Sequence, residues 1–300
     1  MKKVAIVIVT FNRLKLLKEC ISSIRHQSFL DFSIIVVNNG STDNTKEWLD
    51  NQEDIITIHQ KNTGGAGGFF SGLKYAAEKN YPFCWLMDDD VICSENALDE
   101  LLRAYQVKEK IGFVCSKVQG IDGCPMNIPS VDTTPTKNGY PCYDELIHYN
   151  MIKVKMATFV SVFFSTKIIH EIGLPYKEYF IWGDDFEYTR RISTKYESYL
   201  ACNSIVTHKR GTQGNLSFDK ETDPNRLNNY YYFFRNNWFN MIKYELNQPK
   251  KYNLFSHIIL QILWGTTLFF KGQFHRSYII FKALLALPFF KPEVIFPNKT

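Results

Sequence analysis

The chain has 300 residues, enough for one large domain or for one domain with a small appendage. Hydrophobic residues make up 45%, which supports a sizeable core, and a net charge of +5 without a basic stripe argues against a nucleic-acid partner. Seven cysteines at irregular spacings, with no C-x-x-C, indicate neither a zinc site nor a disulfide framework. Cys20, Cys84 and Cys115 lie in apolar runs and read as small core residues with reduced thiols.

The first element is a continuous apolar run at residues 4–9, the pattern of a parallel strand buried on both faces. No signal-peptide pattern precedes it, so the expected location is the cytoplasm. Asn12 is placed to cap a helix whose apolar face is Leu17, Cys20, Ile21 and Ile24. A second strand at 34–37 ends in the turn-rich run 38–43. A third at 55–58 leads into a glycine-rich loop at 62–68, followed by a helix through Leu73, Ala76 and Ala77. The fourth strand, 83–87, runs straight into Asp88, Asp89 and Asp90. Ser94 then caps a helix with Leu98, Leu101, Leu102 and Tyr105 on one face. This alternation predicts an open α/β sheet, mostly parallel, with right-handed crossovers.

Residues 120–155 are rich in Pro, Gly, Asn and Thr and read as an irregular insertion. Further strands are expected at 157–164 and 198–207, the latter ending at His208. Between them come a short extended piece at 178–182 and a charged helix beginning near Asp184. The tail changes character: 230–244 is aromatic and helical, and 254–270 and 277–290 are apolar but interrupted by His257, Gln261 and Lys282. Neither apolar stretch is a clean membrane span, so a helical region resting on a membrane surface is expected, with a subunit contact as the alternative. The expected division is a catalytic unit at 1–225 and a helical region at 226–300.

The polar groups of interest cluster after strand ends, where open α/β sheets bind ligands. Three adjacent carboxylates, Asp88, Asp89 and Asp90, repel one another and suit a hard divalent ion such as Mg²⁺ or Mn²⁺. The glycines of the 62–68 run let backbone N–H groups approach a phosphate or a sugar. The run lacks both the Lys-Ser/Thr ending of a P-loop and the position of a dinucleotide fingerprint. In Trp182-Gly-Asp-Asp-Phe-Glu187, Asp184 suits a helix N-terminus, and two adjacent acids plus Glu187 exceed what a cap requires. One carboxylate there can serve as a general base, and Trp182 can stack on a sugar ring. The helix dipole favours the ionised form of Asp185. A neutral His208 can complete a metal site, and Lys209 or Arg210 can meet phosphate.

Taken together, the residues 10–13 opening, the 38–43 turn, the aspartate cluster, the Trp-Gly-Asp-Asp-x-Glu motif and the later His208 resemble the inverting family 2 glycosyltransferases of GT-A fold, over roughly residues 3–210. The Gly-Gly-Ala-Gly-Gly-Phe stretch resembles the galactofuranosyl- and rhamnosyltransferase branch. The resemblance implies a Rossmann-like sheet and a nucleotide-sugar donor. Thr10, Asn12, Arg13, Asn38, Asn39, Ser41, Asp43, Asn62, Gly64, Gly65, Gly67, Gly68, Asp88 and Asp89 would lie on the donor side. Asp88, Asp90 and His208 would hold the metal, Asp185 would be the base, and Trp182, Asp184 and Glu187 would face the acceptor. It further implies a glycan or lipid-linked saccharide acceptor in cell-surface polysaccharide synthesis, at the inner face of the cell membrane. The donor would be UDP-galactofuranose, with dTDP-rhamnose as the alternative. A nucleotidyltransferase and a non-catalytic carbohydrate-binding protein are the readings from other classes.

Overall fold

The computed structural model describes residues 2–210, 217–245 and 254–298. In chain order the elements are β1 (Val4–Thr10), α1 (Leu14–Arg25), β2 (Phe32–Asn38), α2 (Thr45–Asp50), β3 (Ile55–His59), α3 (Gly64–Glu78), β4 (Phe83–Asp88), β5 (Val91–Cys93), α4 (Ala97–Gln106) and β6 (Ile111–Gln119). They continue with β7 (Ser130–Val131), β8 (Met151–Met156), β9 (Val162–Ser165), α5 (Lys167–Ile172), α6 (Asp184–Ser193), β10 (Glu197–His208), α7 (Pro224–Glu245), α8 (Leu254–Phe270) and α9 (Phe274–Ala286).

All ten strands form one sheet in the order β3-β2-β1-β4-β9-β6-β10-β8-β7, with β5 paired to β10. β3, β2, β1 and β4 are mutually parallel, whereas β9 runs antiparallel to both β4 and β6. The side-chain period of two divides the apolar run of β1 between two cores. Val4, Ile6 and Ile8 face α1 and α4, while Ala5 and Val7 face α3, α5 and α6. Burial on both faces is why the strand shows no polar alternation. A third cluster, built on Phe218, Tyr230, Phe234, Trp238 and Ile280, joins α7, α8 and α9.

Register fixes what the strand ends present. Thr10 is opposite Asn38, Asn38 is opposite His59, and Val9 is opposite Asp88. Four strand termini therefore lie side by side along one carboxyl edge.

Several expectations need correction. Asn12 does not cap α1: its φ is +55°, and its Oδ1 instead accepts from the N–H of Thr42 at 2.7 Å. Ser94 does not cap α4 either; Asn96 takes that position, and the Ser94 hydroxyl donates to the Ile205 carbonyl at 2.9 Å. The glycine-rich run is not a loop. Most of it is the first turns of α3, because the helix must lie almost on the sheet. A Cβ on Gly68 would stand 2.3 Å from Val9 Cγ1, and one on Gly72 would stand 2.3 Å from Val7 Cγ1. The strand expected at 157–164 is shorter and later, as β9, and the irregular insertion already ends at β8. Residues 178–182 are not extended but belong to a tight turn in which Phe180 and Trp182 both have φ of +63°.

The expected boundary at 225 falls inside α7, whose side chains hydrogen-bond into residues 178–183. The end of the chain also returns to the sheet domain, where Leu174 N–H donates to the Ile295 carbonyl at 2.8 Å.

Candidate active site

The three aspartates at the end of β4 diverge. Asp89 turns inward, accepting from the Thr10 hydroxyl at 2.7 Å and lying 3.3 Å from Arg13 Nη1. Burial pushes its carboxyl up to about 7, against the pull of Arg13 and Thr10. Arg13 Nη1 also lies 3.0 Å from Asp90 Oδ2, so an internal cation balances part of the cluster. The carboxylates of Asp88 and Asp90 and the imidazole of His208 each place one ligand atom within 4.8 Å of the others.

His208 reaches this position because β10 pairs with β5, setting His208 opposite Val91. Its Nδ1 is 2.9 Å from Asn127 Oδ1, and its Nε2 is 3.0 Å from Asp90 Oδ1. Burial works against the imidazolium, but Asp90 and Asp88 outweigh it and raise the His208 pKa. Burial, then Asp90, pushes Asp88 up to about 6. Asp90 itself is held below the usual range: burial opposes this, and His208 and Arg13 overcome it. The residues fit a divalent cation on one direct observation. Asp90 Oδ1 is buried with no aligned hydrogen-bond donor, inside a set of two carboxylates and an imidazole.

The second cluster opens α6. Gly183, at φ +88°, starts the helix, and Asp184 and Asp185 occupy its first turn. Asp185 Oδ1 accepts from the Phe186 N–H at 2.7 Å. Burial raises Asp185 to about 6, outweighing the backbone donors that favour its ionised form. The helix end does favour the ionised form, as expected, but desolvation is the larger effect. Burial also drives Asp184 well above its ordinary value, and Asp185 adds to this. The two clusters are within electrostatic reach of one another: the Asp185 charge raises Asp88, and the Asp88 charge raises Asp184.

Glu187 does not join them. Its side chain is fully buried and accepts from Arg191 Nη2 at 2.8 Å, Lys243 Nζ at 2.6 Å and the Tyr244 hydroxyl at 2.7 Å. Trp182 packs edge-on against Tyr230 and Phe233 of α7. Lys209 pairs with Glu19, and its N–H donates to the Asp90 carbonyl at 2.7 Å.

The residues expected on the donor side are largely knitted to each other. Asn12 N–H donates to Ser41 Oγ at 3.0 Å, and Asn38 Oδ1 accepts from Ser41 N–H at 3.1 Å. Asn39 is buried, donating to Asn62 Oδ1 at 3.2 Å and to the Gly64 carbonyl at 2.9 Å. Asp43 accepts from Thr45 N–H at 3.1 Å and from Leu14 N–H at 3.5 Å, so it ties α1 to α2. Gly64 approaches Phe180, Gly67 lies against Thr63, and Gly65 alone of the run has open space where a side chain would be. Phe11 stands 42% exposed at the mouth of this edge. Asn127, Lys243 and Tyr244 escaped sequence reasoning. Asn127 sits in the irregular insertion, and the other two sit in the tail, with no local pattern to mark them.

The chain is similar to known proteins in a consistent way. An uncharacterized glycosyltransferase of Nostoc sp. is 26% identical over 140 residues, spanning 45% of this chain and 42% of the relative, less than half its length. The galactofuranosyltransferase GlfT1 of Mycobacterium tuberculosis is 24% identical over 282 residues, 86% of each chain. Among solved structures, S. aureus TarS 1-349 in complex with UDP-GlcNAc superposes with a TM-score of 0.56 at 16% identity, covering 82% of this chain and 68% of that one, which shows a common fold. The model of glycosyl transferase family 2 matches residues 5–173, more than half of the 300-residue chain. The chain belongs to glycosyl transferase family 2.

Proposed function

We propose that the protein is an inverting, metal-dependent glycosyltransferase that moves a sugar from a nucleotide-sugar donor to a glycan or lipid-linked saccharide. The observation that carries this is two acidic clusters within electrostatic reach of each other: Asp88 and Asp90 with His208 in one, and Asp185, half-buried and held near 6, in the other. A carboxylate with that pKa is ionised at neutral pH yet basic enough to accept a hydroxyl proton. Galactofuranose from UDP-galactofuranose is the proposed cargo. It is supported by the glycine run and by the likeness to GlfT1 over 86% of the chain. Rhamnose from dTDP-rhamnose is the alternative.

Asp185 takes the proton from an acceptor hydroxyl. The acceptor oxygen bonds to the anomeric carbon from the face opposite the nucleotide. The bond to the diphosphate breaks with its electron pair, and the configuration inverts. Asp88, Asp90 and His208 would hold the divalent ion, Mn²⁺ or Mg²⁺, which supplies Lewis-acid neutralisation of the departing diphosphate. Arg13 fixes the orientation of Asp89 and Asp90, and Asp89 fixes Thr10 at the donor edge. Asp184, buried beside the base, would orient the acceptor.

A thermal-shift panel of nucleoside diphosphates and nucleotide sugars, with and without Mn²⁺, tests this, since a ligand that binds the folded state raises the melting temperature. Stabilisation by a uridine or thymidine diphosphate that requires the metal supports the proposal. Release of pyrophosphate from a nucleoside triphosphate would mark a nucleotidyltransferase, and absence of any donor turnover would mark a binding protein.

The same proposal places the tail on an anionic membrane surface. No helix among the described residues is long and apolar enough to cross a membrane. Leu260, Leu263, Phe270, Phe274 and Phe289 are nonetheless exposed on α8, α9 and the turn after them. Residues 254–298 carry Lys271, Arg276, Lys282 and Lys291 against the single acid Glu293, so the apolar surface is flanked by net positive charge. Each exposed cation near such a surface adds about 1 kcal/mol. Co-sedimentation with anionic liposomes at low salt is the expected result. A protein that stays in the supernatant as a stable oligomer would make these helices a subunit contact instead.

A further inference from the structure

The turn that carries the proposed base has backbone torsions rarely held by side-chain-bearing residues. Phe180, at φ +63° and ψ −66°, is the centre of a γ-turn closed by a hydrogen bond from Ile181 N–H to the Tyr179 carbonyl at 2.7 Å. After Ile181 come Trp182 at φ +63° and Gly183 at φ +88°, and α6 begins with Asp184. Such a run persists only where surrounding contacts over-determine it.

Accounting for its carbonyls shows what does so. The Glu178 carbonyl accepts from Arg235 Nη2 at 2.8 Å. The carbonyls of Tyr179, Ile181 and Trp182 all lie within hydrogen-bond distance of Asn236 Nδ2, at 2.9, 3.2 and 2.8 Å, so its two N–H bonds serve three acceptors and one of them is shared. The Gly183 carbonyl accepts from Asn240 Nδ2 at 3.2 Å, and Asn240 Oδ1 accepts in turn from the Tyr179 hydroxyl at 2.5 Å. The remaining carbonyl, Phe180, accepts from Ala66 N–H at 3.0 Å at the start of α3, where Gly64 leaves the room: a Cβ there would sit 2.0 Å from the same oxygen. Every carbonyl from 178 to 183 thus has a donor from outside the segment, and all but one of those donors are side chains of α7.

We infer that Asn236, fully buried on α7, is a positioning residue for Asp185, acting through the backbone carbonyls of residues 179, 181 and 182 to hold the turn in its catalytic form. Its amide oxygen is oriented by Arg235, whose Nη2 lies 2.8 Å and Nε 3.1 Å from it, so the nitrogen is committed to the turn. Arg235 is itself stacked 3.7 Å from the centroid of the Phe290 ring, which ties this lock to the last turn of the tail. The tail is then part of the catalytic apparatus rather than an attachment to it.

This inference rests on Asp185 being the base, and the experiment separates the two. Asn236→Asp keeps the shape and removes the donor. Trp238→Phe, on the same helix and in the apolar cluster against which Trp182 also packs, but donating to none of these carbonyls, serves as the control for general destabilisation. Hydrogen exchange of peptides covering 178–186 is compared in wild type and both variants. It is paired with donor hydrolysis, using whichever of UDP-galactofuranose and dTDP-rhamnose the wild type turns over, and with binding of the matching nucleoside diphosphate and Mn²⁺. The expected result is faster exchange at 178–186 in Asn236→Asp alone. With it should come a fall in kcat of about 100-fold, the order expected for a misplacement of ~1 Å, at unchanged nucleotide affinity. Protection retained in Asn236→Asp, or equal loss in Trp238→Phe, overturns the positioning role. Turnover that survives Asp185→Asn while the exchange result holds overturns the base and leaves the lock standing.

Discussion

Replacing Glu187 by Ala separates a structural acid from an acceptor contact. The Glu187 side chain is fully buried and is the acid shared by Arg191, whose side chain is 11% exposed, and by Lys243. Arg191 would keep the Ile172 and Leu174 carbonyls at 2.9 and 3.1 Å, but it would lose its carboxylate and remain a buried charge. Breaking a buried pair by removing one partner costs about 3–5 kcal/mol. At roughly 2 °C per kcal/mol for a chain of this length, the melting temperature should fall by about 6–10 °C. Glu187→Gln, which retains one acceptor oxygen, should fall by less. The assay is a calorimetric scan of each variant, with donor hydrolysis measured well below both midpoints. Turnover per folded molecule should stay within a few-fold of wild type, since the Glu187 carboxylate is committed to Arg191, Lys243 and Tyr244. A variant with an unchanged melting temperature that has lost transfer would return Glu187 to the acceptor side and refute this reasoning.

Asp90→Asn should abolish the Mn²⁺-dependent part of nucleotide binding, read as loss of the metal-linked thermal shift; full activity of wild type in excess chelator would sink the metal site. For Asp185, burial raises the folded-state pKa to about 6 from 3.8, so its contribution to stability is present below the unfolded value and lost as pH rises through about 6. The proposed base needs the opposite form, and kcat should decline as pH falls through that value or, with a cation bound, somewhat below it; a pH–rate profile without an acid limb would point to another base. Asp185→Asn should therefore remove turnover while raising the melting temperature at pH 8, by on the order of 1 kcal/mol of stability, and a destabilised variant would contradict the burial cost. Gly68→Ala should destabilise by about 1–3 kcal/mol through overpacking on Val9. Gly65→Ala, with open space at its Cβ, should be neutral or stabilising in the same denaturation series.

The sequence by itself determined the strand-helix alternation of the first hundred residues, because the apolar runs at 4–9, 34–37 and 83–87 have no polar alternation and fit a sheet covered on both sides. It also singled out the candidate acids, since three carboxylates after one strand and two at a helix start are conspicuous however the chain folds. Helical periodicity gave the buried faces of α1 and α4 correctly, with Leu17, Cys20, Ile21 and Ile24 on one and Leu98, Leu101 and Leu102 on the other.

The tertiary structure decided which polar groups are free to act. Asp89, Asp43 and Glu187 look like their neighbours in sequence, yet each is committed to local partners that only the packing brings within reach. The glycine run reads as a phosphate loop because glycine permits close approach, but sequence cannot say what approaches; here the partners include the β1 side chains and the Phe180 carbonyl. Residues 178–182 carry the composition of a strand and were folded into a γ-turn by donors some fifty-five positions away, on α7. A backbone conformation of that kind has no local signature. Its stability comes from long-range hydrogen bonds, which local periodicity does not record.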